Sequence, residues 1–288
     1  MPLSRHSRIR SYQSKTFVEK RQRRSLVGVG LFLICAASWA FALSRLSSLE
    51  YLSIEGIEIY GADQDIIPAI QSAVSNAIQG SYLGLFSKSN ALIYPRKTIM
   101  AAVVGASPRI LSVDISRDGR QTLAVSVTEK TAAALVCAGL PDFDQNGALQ
   151  ADDDCYAADA SGLIFKKISA GEDSALIRYY AQELPDDRSA IGMQATSTAE
   201  FTGLQSFIAG VKPSGIRPEA VLMKDAGEYE LYADPLIVVY FNDKAGLPAE
   251  LADLTAFWSR MVSAAAAGGE PQSFEYIDLR YGSNVFYR

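Results

Sequence analysis

The chain of 288 residues holds one histidine, His6, and it lies within the first ten residues. Ser-His-Asp and Cys-His nucleophile arrangements and histidine-containing zinc sites need an imidazole as base or ligand, so none can be built downstream of it. There are only three cysteines, Cys35, Cys137 and Cys155, and they form no paired metal-binding spacing. A Walker loop, a dinucleotide fingerprint, an internal repeat and a long low-complexity segment are all lacking. A carboxylate-pair hydrolase is the remaining enzyme class with residues to draw on. Abundant acids are in general solvated surface, however, and the expectation is a protein that is not an enzyme and takes no small-molecule substrate.

Charge is missing altogether from Ser25 to Leu43, a run of 19 residues reading SLVGVGLFLICAASWAFAL. At 1.5 Å per residue it spans about 28 Å, close to a hydrocarbon core of roughly 30 Å. Residues 1–24 carry eight of the 27 Lys and Arg and one of the 32 acids, which leaves 19 basic and 31 acidic residues beyond the run. Positive charge stays in the cytoplasm, so the tail is expected inside and everything after the run outside. A basic cluster beside an anchor ordinarily meets anionic lipid headgroups. The acidity of the exported part argues against nucleic acid. Ala40-Phe41-Ala42 resembles a signal-peptidase site, the alternative reading; the long basic region and long apolar run favour an uncleaved anchor. Cys35 then lies in the membrane, while Cys137 and Cys155 lie in an oxidising setting where they most simply pair. That bridge would restrain the unfolded chain by about 3 kcal/mol.

Five segments follow from these boundaries: a basic tail (1–24), a transmembrane helix (25–43), a linker (44–50), a first domain (51–130) and a second (131–288). In the first domain a strand begins in LSIEGIEIYG, with Ile57 and Ile59 inward. Asp63 or Asp65 opens a helix striped by Ile66, Ile70, Val74, Ala77 and Ile78, with Pro68 in its first turn. GSYLGLFSKSN (80–90) breaks it with two glycines and an apolar Leu83/Leu85/Phe86 cluster. A second helix starts near Pro95. Two strands, with Leu111, Val113 and Ile115 and then Leu123, Val125 and Val127 inward, flank a turn at Asp118-Gly119. The order strand, helix, helix, strand, strand makes a compact α+β unit of about 80 residues, two helices on one face of a three-stranded sheet. From 131 onward strand-like runs predict a larger, mainly antiparallel sheet: TAAALVC, GLIFKKI, EAVLM, YELYA, PLIVVYF, FEYIDLRY and NVFYR. Helices are expected at 197–210 and from Pro248 to about Ala266.

PDFDQNGALQADDDC (141–155) has the oxygen pattern of a calcium loop. Asp142, Asp144 and Asn146 fall at positions 1, 3 and 5, Gly147 at the sharp turn, the Ala148 carbonyl at 7 and Asp153 at 12. Strands rather than helices bracket it, and Asp and Asn are also ordinary turn formers. Two readings stay open: a weak structural calcium site in a disulfide-tied loop, or a polar turn without metal. No cofactor is required on either.

Several stretches resemble the FtsQ/DivIB family of bacterial cell division proteins. IEGIEIYGAD (54–63) looks like the opening strand of that family's POTRA domain. SYLGLFS followed by PRKTI resembles its loop and second helix, and SPRILSVDISRDGRQTLAVSVTEKTAAAL (107–135) its hairpin, ending at Glu129-Lys130. CYAADASGLIF resembles a Tyr-x-x-Asp-x-x-Gly-x-x-Phe turn on Tyr156, Asp159, Gly162 and Phe165. YIDLRY (276–281) resembles the last strong motif. The Cys137–Cys155 insert departs from the pattern. The resemblance implies a single-pass inner-membrane divisome scaffold with POTRA and β domains. It would bind FtsB/DivIC-like and FtsL-like bitopic coiled-coil partners and so support septal cell-wall synthesis. It implies further that partners meet the open edge of the C-terminal sheet near Tyr276, Arg280 and Tyr281. YIDLRY reads as that edge strand, with Ile277, Leu279 and Tyr281 on one face and Tyr276, Asp278 and Arg280 on the other, Arg280 free to grip a partner carboxylate. Rival readings are a POTRA-bearing component of a membrane-protein assembly or export machine, disfavoured because no amphipathic barrel strands follow, and an anchored calcium-dependent adhesion protein.

Overall fold

The computed structural model describes residues 15–47, 50–145, 147–150, 154–169, 175–182, 184, 190–234, 237–266, 274–282 and 284–288. The chain is mixed α+β, with one apolar helix near the N-terminus and a large sheet in which antiparallel pairs predominate. Helix α1 runs Lys15–Ser47 and contains a stretch, Leu26–Arg45, long and apolar enough to cross a membrane. It therefore continues through most of the segment expected to be a linker. Nothing in Ser44-Arg45-Leu46-Ser47 breaks a helix, since neither proline nor glycine is present.

The chain divides into two compact units, 1–103 with 114–126, which includes α1, and 104–113 with 127–288. The division runs through two strands. The first unit contains β1 (Gly56–Tyr60), α2 (Ile67–Ala77), a short hairpin of β2 (Ser81–Tyr82) and β3 (Phe86–Ser87), and most of α3 (Arg96–Val104). It also takes parts of β4 (Ile110–Asp118) and β5 (Thr122–Glu129). The sheet order is β1-β5-β4, with β1 parallel to β5. Ile70, Val74, Ile99, Val103, Ile115, Leu123 and Val125 are buried, the positions where helical and alternating spacings coincide with apolar side chains.

Two details differ from expectation. Ile66, not an aspartate, is the N-cap of α2 and makes no side-chain cap; Pro68 stands in the first turn, where its missing N–H is harmless. Leu111 points outward and is 61% exposed, because the buried phase of β4 is carried by Ile110, Val113 and Ile115. Two exposed residues in succession, Leu111 and Ser112, break strict alternation there.

The second unit carries a nine-stranded sheet. Its strands are β6 (Ala134–Ala138), β7 (Cys155–Ala158), β8 (Ile164–Lys167), β9 (Arg178–Ala181), β10 (Arg217–Lys224), β11 (Glu228–Asp234), β12 (Ile237–Asn242), β13 (Tyr276–Tyr281) and β14 (Asn284–Tyr287). The spatial order is β14-β13-β12-β11-β10-β9-β6-β7-β8. Strand β9 is parallel to both its neighbours, and β13 is parallel to β12; the other pairs are antiparallel. Helices α4 (Thr198–Val211) and α5 (Leu247–Ala266) cover one face. Phe201, Leu204, Phe207, Leu254 and Phe257 pack there on Val221, Leu231, Val239, Phe241, Ile277 and Leu279. Ser197 caps α4 by accepting from Glu200 N–H at 3.3 Å. A smaller cluster covers the middle of the other face and includes Leu135, Phe165, Tyr180, Leu222 and the bridge between Cys137 and Cys155.

Strands β7 and β9 have no counterpart in the sequence reading. Tyr179 and Tyr180 are both buried, as befits a central strand covered on two sides, so β9 shows no alternation to detect. In the β7–β8 turn Asp159 Oδ1 accepts from Ser161 and Leu163 N–H, and Gly162 adopts φ +84°. A Cβ on Gly162 would stand 2.8 Å from the Phe201 ring, so the position needs glycine for both backbone and space.

Candidate partner-binding edge

RYGSNVFYR folds back on itself at Gly282, whose φ is +68°, so β14 pairs antiparallel with β13. YIDLRY is therefore an inner strand held between β12 and β14, not the edge expected from its sequence. Among the described residues, β14 has a strand neighbour on one side only. Arg288 N–H donates to the Tyr276 carbonyl at 3.2 Å, and its carbonyl accepts from Glu275 N–H at 2.7 Å. Backbone groups alternate along a strand, so the N–H and C=O of Tyr287 turn outward.

The side chains on this edge are aromatic. Tyr281 is 61% exposed, with Ile277 and Leu279 fully buried, so it does not share their face. The β13–β14 register slips between Asp278 and Tyr281, which releases the last residue of the strand from the core phase. The Tyr281 ring meets Phe286 edge-on at 5.3 Å. Phe286 and Tyr287 are each about half exposed, the latter resting against Phe257 at 5.0 Å and Phe274 at 5.7 Å. Tyr276 is half-buried, 6.1 Å from Tyr240.

Arg280 is engaged within the chain. Its Nε donates to Asp278 Oδ1 at 2.9 Å and its Nη2 to Oδ2 at 2.7 Å, a two-pronged pair within one strand. Its Nη1 lies 3.4 Å from Glu228 on β11, and the guanidinium sits 5.1 Å from the centre of the Tyr240 ring. Burial opposes ionisation of Asp278, but the hydrogen bonds and charge of Arg280 outweigh it and lower its pKa. The same hydrogen bond to Asp278 raises the pKa of Arg280. Next to this network Glu250, in the first turn of α5, is 3% exposed, and its Oε2 has no hydrogen-bond partner. Burial, then the charges of Asp253 and Asp278, push its carboxyl up to about 7.

In the disulfide-tied loop, Phe143 and Leu149 form an antiparallel bridge. Asp144 Oδ1 accepts from Ala148 N–H at 2.8 Å, and the Ala148 carbonyl accepts from Asp144 N–H at 2.9 Å. Gly147 takes φ +80°. The loop thus closes as an Asp-capped turn using its own groups. Asn146 and Asp153 lie outside the described residues. The Asp142 carbonyl accepts from Gln150 N–H at 2.9 Å. No group of three or more metal-binding side chains occurs among the described residues.

Two other pairs of motif residues are brought together. Lys130 Nζ stands 2.7 Å from Asp159, and Arg109 pairs with Glu129 at 2.8 Å, both in the second unit. Sequence reasoning missed the placement of Phe286 and Tyr287 on the outermost strand and of Glu228 beside Arg280. The signal for the first two was present, since Gly282-Ser283 between two strand-like runs is a hairpin and leaves the final strand outermost. No protein-family model matches the chain, and no curated protein matches it.

Proposed function

We propose that the chain is a non-enzymatic, single-pass divisome scaffold of the FtsQ/DivIB type. Its tail is cytoplasmic, its first unit is a POTRA domain, and its second unit binds FtsB/DivIC-like and FtsL-like partners outside the membrane to support septal cell-wall synthesis. The reading draws on the motif resemblance together with the element order in residues 56–129, a strand, a helix, a short hairpin, a second helix and two strands. One observation carries the binding mode: among the described residues β14 has no strand on its outer side, and exposed Tyr281 and Phe286 flank it at the end of the large sheet. A partner segment adding as a further strand gains main-chain hydrogen bonds and aromatic cover together. The Asp278–Arg280 pair stiffens the strand behind that edge.

The test is a titration of the full chain, in nanodiscs, with the external segment of the same organism's FtsB/DivIC-like protein. Phe286→Asp alters only the open edge and is expected to weaken binding at least tenfold, with calcium and with chelator alike. Arg280→Glu serves as a comparison, since it also disturbs Asp278. No binding by the folded intact chain removes the divisome reading. Binding that vanishes in chelator returns the 142–153 loop to the centre.

A further inference from the structure

The β2–β3 hairpin of the first unit carries two leucines on the outside. Leu83 is 96% exposed and Leu85 41%. Leu85 N–H donates to the Tyr82 carbonyl at 2.9 Å, closing a tight turn in which Leu83 has φ +51° and Gly84 φ +72°. A turn with two left-handed central residues favours Asn-Gly or Asp-Gly, because short polar side chains tolerate that backbone. A leucine there is strained as well as water-exposed, and neither local structure nor packing explains it. Backbone strain of this kind marks functional positions.

The hairpin's position supplies the missing partner. Ser44 Oγ, at the C-terminal end of the membrane-length stretch Leu26–Arg45, donates to the Leu85 carbonyl at 2.5 Å. Ala91 N–H donates to the Leu52 carbonyl at 2.8 Å, which ties the exposed Leu92 and Ile93 to the chain just beyond that stretch. Basic groups stand over aromatic rings in the same zone, Lys88 5.9 Å from the Tyr82 centroid and Arg45 5.1 Å from that of Phe41. Apolar tips bounded by Lys, Arg and aromatic rings suit the boundary between headgroups and acyl chains.

We infer that the hairpin tip, led by Leu83 and supported by Leu85, inserts into the outer interfacial layer of the bilayer that α1 crosses. The first unit then holds the membrane at a second point. The inference rests on the single-pass reading of α1, and its test separates the two. Nitroxide labels are placed on Leu83→Cys, Leu33→Cys and Gln64→Cys in full chains carrying Cys35→Ala, with the disulfide left intact. Gln64 is exposed, in the turn between β1 and α2. In phosphatidylethanolamine/phosphatidylglycerol liposomes, the relaxation by oxygen relative to a water-soluble nickel chelate reports depth. Position 83 is expected to show a ratio several-fold above position 64 and below position 33. A ratio at 83 equal to that at 64, with 33 in the hydrocarbon, overturns the insertion and leaves the anchor standing. Position 33 matching 64 overturns both. An unlabelled check uses Leu83→Asn, which the left-handed turn accepts without loss of fold. Amides 82–86 should exchange at least threefold faster in that variant than in the parent in liposomes, with no such difference in detergent micelles. Equal exchange in liposomes also overturns the insertion.

Discussion

Glu250→Gln should make the second unit more stable above pH 7 and flatten its pH dependence. The Glu250 carboxyl is held near 7, against an ordinary value of 4.5, chiefly by burial. Below 4.5 the carboxyl is protonated in both folded and unfolded chains and contributes nothing. Between 4.5 and about 7 the unfolded chain releases this proton while the folded chain keeps it, so stability falls as pH rises. Above 7 the penalty is fully present. At 1.36 kcal/mol per unit the whole shift corresponds to about 3 kcal/mol, and attraction to the N-terminus of α5 offsets part of it. Glutamine keeps the shape and lacks the charge, so the expected gain is about 1–3 kcal/mol at pH 8 and near zero at pH 4.5.

The assay is urea unfolding of the full chain in detergent, followed by fluorescence of Trp258, which lies on α5 5.8 Å from Phe274. Asp159 and Asp278 do not confuse the window. Both are held below the ordinary 3.8, so their contribution is present above that value and lost only as pH falls through still lower ones. A parent chain whose midpoint is flat from pH 5 to 8, or a glutamine variant weaker than the parent at pH 8, refutes the reasoning.

Further outcomes follow from the same structure. Replacing Cys137 and Cys155 by serine removes a bridge of sequence separation 18 and should lower stability by about 3 kcal/mol, seen as a lower urea midpoint without loss of the β signal in circular dichroism. Gly162→Ala combines a left-handed backbone with a 2.8 Å approach to Phe201 and should destabilise by about 2 kcal/mol or more; a thermal midpoint within a degree of the parent contradicts it. Arg280→Ala leaves Asp278, 7% exposed, without its guanidinium, and should destabilise by about 2–3 kcal/mol even with no partner present. Adding Asp278→Ala should recover part of that loss, and a fully additive double variant argues against the pair.

Long, strongly patterned segments were legible from sequence. Ile70 and Val74 of α2, Phe201 to Val211 of α4 and Leu254 to Met261 of α5 carry helical spacing, and their helices stand within a few residues of where that spacing puts them. Elements whose signal depends on partners were not. Strand β9 is four residues long and buried on both faces, so it lacks the alternation by which strands are recognised. The outward turn of Leu111 depends on where the exposed pair Leu111-Ser112 interrupts β4, which local propensity does not encode. The edge was misplaced by one strand. The motif YIDLRY drew attention to itself, while the plainer NVFYR, behind a Gly-Ser turn, took the outer position.

That displacement changes what the Arg-Tyr of the motif can do. Arg280 already makes two charge-assisted hydrogen bonds to Asp278 and lies over Tyr240, so reaching for a partner carboxylate means breaking contacts of similar strength for no net gain. On the present geometry it links β13 to Glu228 of β11 and covers the Asp278 carboxylate. Tyr281 has no such tie and shares its exposed surface with Phe286. The two residues should therefore separate in a binding experiment. Tyr281→Ala should raise the Kd for the partner segment at least as much as Phe286→Ala, with little change in unfolding midpoint. Arg280→Lys keeps the charge, loses the fork, and should lower stability by about 1 kcal/mol while changing Kd less than threefold. If Arg280→Lys abolishes binding in a fully folded chain, the guanidinium is a contact after all. The partner would then have to displace Asp278.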